Sequence, residues 1–144
     1  MRVLLRSVRL LDGASPGPAQ DILLEDGLIR AIGEDLSEAA DRTLVSEGFC
    51  ASAGWLDLRV AARDPGHEHR ETLPDLARAA AAGGFTDVAL LPNTSPVVDT
   101  KDTLGYVRRM AETPGSPARL HPMAAITKGT KGVDFTDMID LHRA

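Results

Sequence analysis

The sequence predicts an α/β fold in which a small β-sandwich-type unit, residues 1–52, precedes strands that alternate with helices through residues 53–144. Three observations predict it. Short apolar runs separated by turn signals fill the first unit, and the second alternates such runs with stretches striped at helical spacing. A composition of 43% apolar and 26% charged residues over 144 positions is that of a globular protein.

The elements follow in order. Residues 3–11 read as a strand, broken by the Gly and Pro of residues 13–18. Residues 22–32, ILLEDGLIRAI, read as a hairpin that turns at Asp26-Gly27, because both positions of such a turn need positive φ. Residues 43–49 add a further strand. Residues 55–61 are the next, followed by a helix with Leu73, Leu76, Ala77 and Ala80 at i, i+3, i+4 and i+7. Thr72 is its expected cap, Pro74 lies in its first turn, and Gly83-Gly84 ends it. Residues 85–91 form a strand, and Leu104, Val107 and Ala111 stripe a second helix closed by Pro114-Gly115. Residues 119–126 are a third strand. Phe135, Met138, Ile139 and His142 mark a third helix opened by Asp134.

Strands alternating with helices call for a parallel sheet, which is stable when helices cover both faces or when the sheet closes on itself. An eight-stranded β/α barrel takes about 250 residues. Three units cannot close one, so the expected architecture is an incomplete TIM-type barrel with a small outer β unit, in a chain that is a fragment or one part of a larger polypeptide.

Composition also excludes classes of function. No run reaches the roughly 18 apolar residues of a spanning helix, and Arg2, Arg6 and Arg9 interrupt the apolar start, so neither a membrane span nor a signal peptide is expected. The single Cys50 has no disulfide partner, which fits a reducing, cytoplasmic setting. Sixteen basic against 21 acidic residues, with one Trp, one Tyr and three Phe, argue against a nucleic-acid surface.

In β/α barrels chemistry sits in the loops after the strands. Those loops here carry Arg63-Asp64-Pro65-Gly66 and Pro92-Asn93-Thr94, on successive strand ends. With the N-terminal β unit they resemble the dihydroorotases of the amidohydrolase superfamily, whose first barrel strand reads P-G-F-x-D-x-H-x-H-x-R-[DE]-P-G and whose second ends in M-P-N-T-x-P. Dihydropyrimidinases and hydantoinases share the fold and the HxH but usually lack this pairing. The resemblance covers essentially the whole chain. It implies a metallo-dependent-hydrolase barrel, interconversion of dihydroorotate and N-carbamoyl-aspartate in pyrimidine biosynthesis, and a zinc site. It also implies a small-molecule carboxylate substrate held by Arg63 and by Asn93.

The resemblance fails at the metal pair. In the family the HxH of the first strand supplies two ligands to the ion that activates water. Those positions are Arg59 and Ala61 here. Alanine has no lone pair, and a guanidinium stays protonated and repels a dication. No metal ligand or catalytic residue is therefore assigned. Arg59 has two readings, an ion pair with an interior carboxylate or a contact to substrate. Asp57 belongs to the motif without a catalytic role.

The four histidines are weighed as substitutes. His67 and His69 form a displaced HxH in a loop beside Glu68 and Glu71, either solvated or a zinc pair. His121 reads as a packing or loop-side residue, and His142 as a helix-end residue that can meet the last carbonyls. Gly129-Thr130-Lys131-Gly132 lacks the spacing of a phosphate loop and reads as an exposed turn. For Arg63 the alternative is an ion pair with Asp64, and for Pro92-Asn93-Thr94 a plain turn.

Three functions follow: a metal-deficient dihydroorotase, weakly active or inactive; a non-catalytic structural or regulatory partner of aspartate transcarbamoylase; or a cyclic amidohydrolase using other ligands. An oligomer is expected.

Overall fold

The computed structural model describes residues 1–45 and 48–144, and these divide into two compact units, Met1–Ala53 and Gly54–Ala144.

The first unit is one mixed sheet. β1 (Arg2–Leu11) pairs antiparallel with β2 (Pro16–Glu25), which pairs antiparallel with β3 (Leu28–Gly33). β4 (Arg42–Val45) and β5 (Cys50–Ala51) both lie parallel to β1. The sandwich expected for residues 1–52 is thus a single layer among the described residues, since each of these strands joins through β1 and β2. The Asp26-Gly27 turn forms as read, with φ of 50° and 82°. β2 begins at Pro16, inside the stretch read as a break, because Leu11 pairs with Pro16 across a short turn. Part of the strand expected over 43–49 falls on Ser46 and Glu47, outside the described residues.

A bulge in β1 between Leu5 and Val8 exposes backbone groups that the ladder would have satisfied. The buried Asp21 takes them up: its carboxylate accepts from Ser7 N at 3.1 Å, Leu36 N at 3.1 Å and Arg6 Nη1 at 2.6 Å. Leu4, Val8, Ile22 and Leu23 are the buried apolar residues of this unit.

The second unit holds a parallel three-stranded sheet, in the order β6 (Trp55–Val60), β7 (Phe85–Leu90), β8 (Arg119–Pro122). α1 (Leu73–Ala82) connects the first pair and α2 (Lys101–Ala111) the second. Thr72 caps α1 as the sequence indicated: its Oγ1 accepts from Asp75 N, and the Asp75 carboxylate accepts from Thr72 N. Thr100 and Thr103 repeat the device on α2. Leu73, Leu76 and Ala77 of α1, Leu104, Val107 and Ala111 of α2, and Val88 and Leu90 of β7 close one core. No helix among the described residues is long and apolar enough to cross a membrane.

Two elements differ from the sequence reading. β8 ends at Pro122 rather than at residue 126: Met123 N still donates to Leu90 O, but Ala125 N donates to Val98 O, in the loop after β7. α3 (Met138–Arg143) begins three residues after the expected start, capped by Asp137 rather than Asp134. The buried Thr136 donates its hydroxyl to Ala125 O, and Phe135 bridges to Thr127, so that segment is held extended. Residues 129–132 form an exposed turn around a short 3-10 segment, Lys128–Thr130, as expected.

Asp87 ties β7 to β8. Its carboxylate accepts from Arg119 and from Thr86 Oγ1, and its Oδ1 lies 2.8 Å from His121 Nε2. These bonds, Arg119 first, hold the Asp87 carboxyl well below the usual carboxylate range. A carboxylate depressed on folding stabilises fully above its unfolded value of about 4, and that contribution is lost as pH falls below it. Asp87→Asn is therefore expected to flatten the acid limb of a denaturation-midpoint profile below about pH 4. An unchanged limb would show that these bonds are screened out.

Candidate functional site

The loops after β6 and β7 carry the residues of interest, and the chain has to fold them against each other. Leu91 N donates to Val60 O, extending the parallel pairing one residue past the end of β7. Ser95 N then donates to Pro65 O at 3.1 Å. Gly66, at φ +109°, lies so close that a Cβ on it would sit 2.3 Å from Ser95 O. The peptide bonds before Pro65 and Pro96 are both cis. Within the first loop His67 N donates to Arg63 O at 2.7 Å, and Gly66 N donates to Glu68 Oε1 at 2.8 Å. That last bond is the main cause holding the Glu68 carboxyl below its ordinary value. In the second loop Thr94 Oγ1 donates to Pro96 O and Val98 N to Pro92 O.

Arg63 and Asn93 are exposed on these two joined loops. Among the described residues no carboxylate lies within ion-pair distance of Arg63, so the Arg63–Asp64 pair allowed by the sequence does not form. Asp64 points inward instead. It is 2% exposed, and its carboxylate accepts from Tyr106 Oη at 2.9 Å and from Leu73 N at 3.3 Å. The bond donated to Asp64 is the leading cause pushing the Tyr106 hydroxyl above its ordinary value. Sequence reasoning missed Tyr106. The available signal was that the only tyrosine sits on α2 away from the Leu104, Val107 and Ala111 stripe.

The metal positions do not fit a metal. β6 carries a register shift between Asp57 and Val60, and Asp57 Oδ1 accepts from Arg59 N at 2.9 Å. Strict alternation, which would aim residues 59 and 61 the same way, is thus interrupted, and Ala61 lies past the strand end. Arg59 is exposed, with no ion-pair partner among the described residues, so its interior-pair reading is not seen. His67 and His69 meet edge to face with centroids 6.1 Å apart. Neither they nor any other three His, Cys, Asp or Glu side chains among the described residues are grouped to hold a metal.

A groove beside the loops is lined by Pro65, Gly66, Ser95, Pro96 and Tyr106, with Glu68 and Asp102 also in its wall. Two carboxylates make it unsuited to an anion, and neither Arg63 nor Asn93 lines it. What the strand-end loops present to an anion is the exposed Arg63 guanidinium and the exposed Asn93 amide, neither with a side-chain partner among the described residues.

Parallel strands joined by capped helices, with polar loops at the carboxyl ends of the strands, make this unit a β/α fold. The chain belongs to the dihydro-orotase-like family, whose model matches residues 50–144. The dihydroorotase of Syntrophotalea carbinolica is 40% identical over all of this chain and 34% of its own. That of Geobacillus sp. is 44% identical over 86% of this chain and 29% of its own. The chain spans about a third of the length of the curated relatives it matches. Among solved structures, an L-hydantoinase (dihydropyrimidinase) from Arthrobacter aurescens superposes with a TM-score of 0.72 at 26% identity, over 87% of this chain and 28% of its own. A dihydroorotase crystal structure gives 0.61 at 20% identity, over 89% of this chain and 32% of its own, which shows the shared fold.

Proposed function

We propose that the chain supplies the first three β/α units of a dihydroorotase-type barrel that binds a small carboxylate through Arg63 and Asn93 but is metal-deficient, weakly active or inactive. The substrate class is that of the family, N-carbamoyl-aspartate and dihydroorotate in pyrimidine biosynthesis. The observation that carries this reading is the pairing of the two joined loops, each with an exposed polar donor that has no partner among the described residues, with a strand end where Arg59 and Ala61 offer no ligand. A guanidinium grips a carboxylate with two parallel hydrogen bonds, and an amide N–H adds a third. The rest of the family reaction calls for an activated water, and these residues do not supply one.

Titration of the protein with N-carbamoyl-aspartate tests this. Arg63→Ala removes a charge-assisted contact worth roughly 1.5–3 kcal/mol, and the affinity should fall about ten- to more than a hundredfold. Equal affinity of the variant and the unmodified protein would make Arg63 structural and overturn the proposal.

A further inference from the structure

We infer that Asp64 and Tyr106 act as positioning residues for Arg63, locking the arginine-bearing loop to α1 and α2 through one buried carboxylate. The inference rests on the carboxylate-binding reading of Arg63. Its starting point is an ionisable group in an expensive place. Asp64 is 2% exposed, and no cation lies within ion-pair distance of it among the described residues. An unpaired buried carboxylate is destabilising unless hydrogen bonds and dipoles replace its water. Two groups do so here: Leu73 N–H, at the first turn of α1, where the helix dipole favours negative charge, and the Tyr106 hydroxyl from the middle of α2. An apolar side chain of similar size would fill the same space at lower cost. What only the carboxylate achieves is to fix the residue next to Arg63 against two helices at once.

The backbone around it is held to match. Arg63 O accepts from His67 N, Pro65 O accepts from Ser95 N, and Gly66 packs on Ser95. Arg63 itself has no side-chain partner among the described residues, so its direction is set by the backbone it leaves. If Asp64 loses its Tyr106 bond, the turn at residues 63–66 gains freedom at the point where the guanidinium emerges. The loop that carries Asn93 is tied to the same turn, so the relative placement of the two donors is lost with it.

Tyr106→Phe is the test, with Val107→Ala as its control. Val107 is a buried neighbour on α2 that touches neither loop's hydrogen bonds, so it loosens the core without loosening the clamp. Two readouts are taken on the intact protein: hydrogen exchange at the His67 and Ser95 amides without ligand, and affinity for N-carbamoyl-aspartate. The expected result is faster exchange at both amides and about a tenfold weaker affinity in Tyr106→Phe, with Val107→Ala changing neither in the folded protein. Unchanged exchange in Tyr106→Phe, or an equal change at both amides in Val107→Ala, would overturn the clamp. Absence of carboxylate binding by the unmodified protein would overturn the reading of Arg63, and exchange alone would then decide the clamp.

Discussion

Gly66→Ala is expected to destabilise the protein by about 4 kcal/mol, with a fall in melting temperature of roughly 10–15 °C. Two effects add. A φ of +109° lies where a side chain is strained, and an added Cβ would stand 2.3 Å from Ser95 O and 2.6 Å from Ser95 Cβ. The obstacle is backbone and a short side chain, neither of which can swing aside. The loop that carries Arg63 must therefore part from the loop that carries Asn93, so carboxylate affinity should fall together with stability. Calorimetry and ligand titration on the same variant check both. A stable Gly66→Ala protein with full affinity would mean that the loops do not need their close approach.

Leu73→Ala should cost about 3 kcal/mol while leaving carboxylate affinity nearly unchanged in the protein that remains folded. Leu73 is fully buried at the start of α1, and its side chain packs in the core among both helices and the sheet. Truncation leaves a cavity that the capped first turn cannot collapse to fill. Its backbone N–H, which donates to Asp64, survives the substitution. Denaturant unfolding read beside ligand titration separates the two substitutions: Gly66→Ala reduces both quantities, Leu73→Ala only stability.

Much of this architecture is legible in local chemistry. Asp26-Gly27 announces its turn because few residues tolerate positive φ, and Thr72 with Asp75 announces α1 because a hydroxyl and a carboxylate three residues apart satisfy each other's backbone donors. The strand ends at Arg63 and Asn93 follow from where apolar runs give way to Pro, Asn and Gly. What sequence could not show is where long-range partners lie. Asp64 reads as the neighbour of Arg63, yet its carboxylate is taken by a tyrosine 42 positions away. The bulge near Arg59 is likewise invisible in a pattern that alternates on paper, because register is settled by the neighbouring strand. The third helix starts late for a similar reason: the Thr136 hydroxyl donates to the Ala125 carbonyl, outside the helix, and keeps its neighbours extended. The metal pair is judged by the donor chemistry of two residues, Arg59 and Ala61.

The most direct test of the central claim is metal analysis of the purified full-length protein, run alongside an assay of dihydroorotate hydrolysis at neutral pH. A catalytic zinc site usually keeps three protein ligands, so the account predicts well under one zinc per chain and no measurable turnover. Stoichiometric zinc accompanied by turnover would contradict it, and would make His67 and His69 the first side chains to examine as ligands.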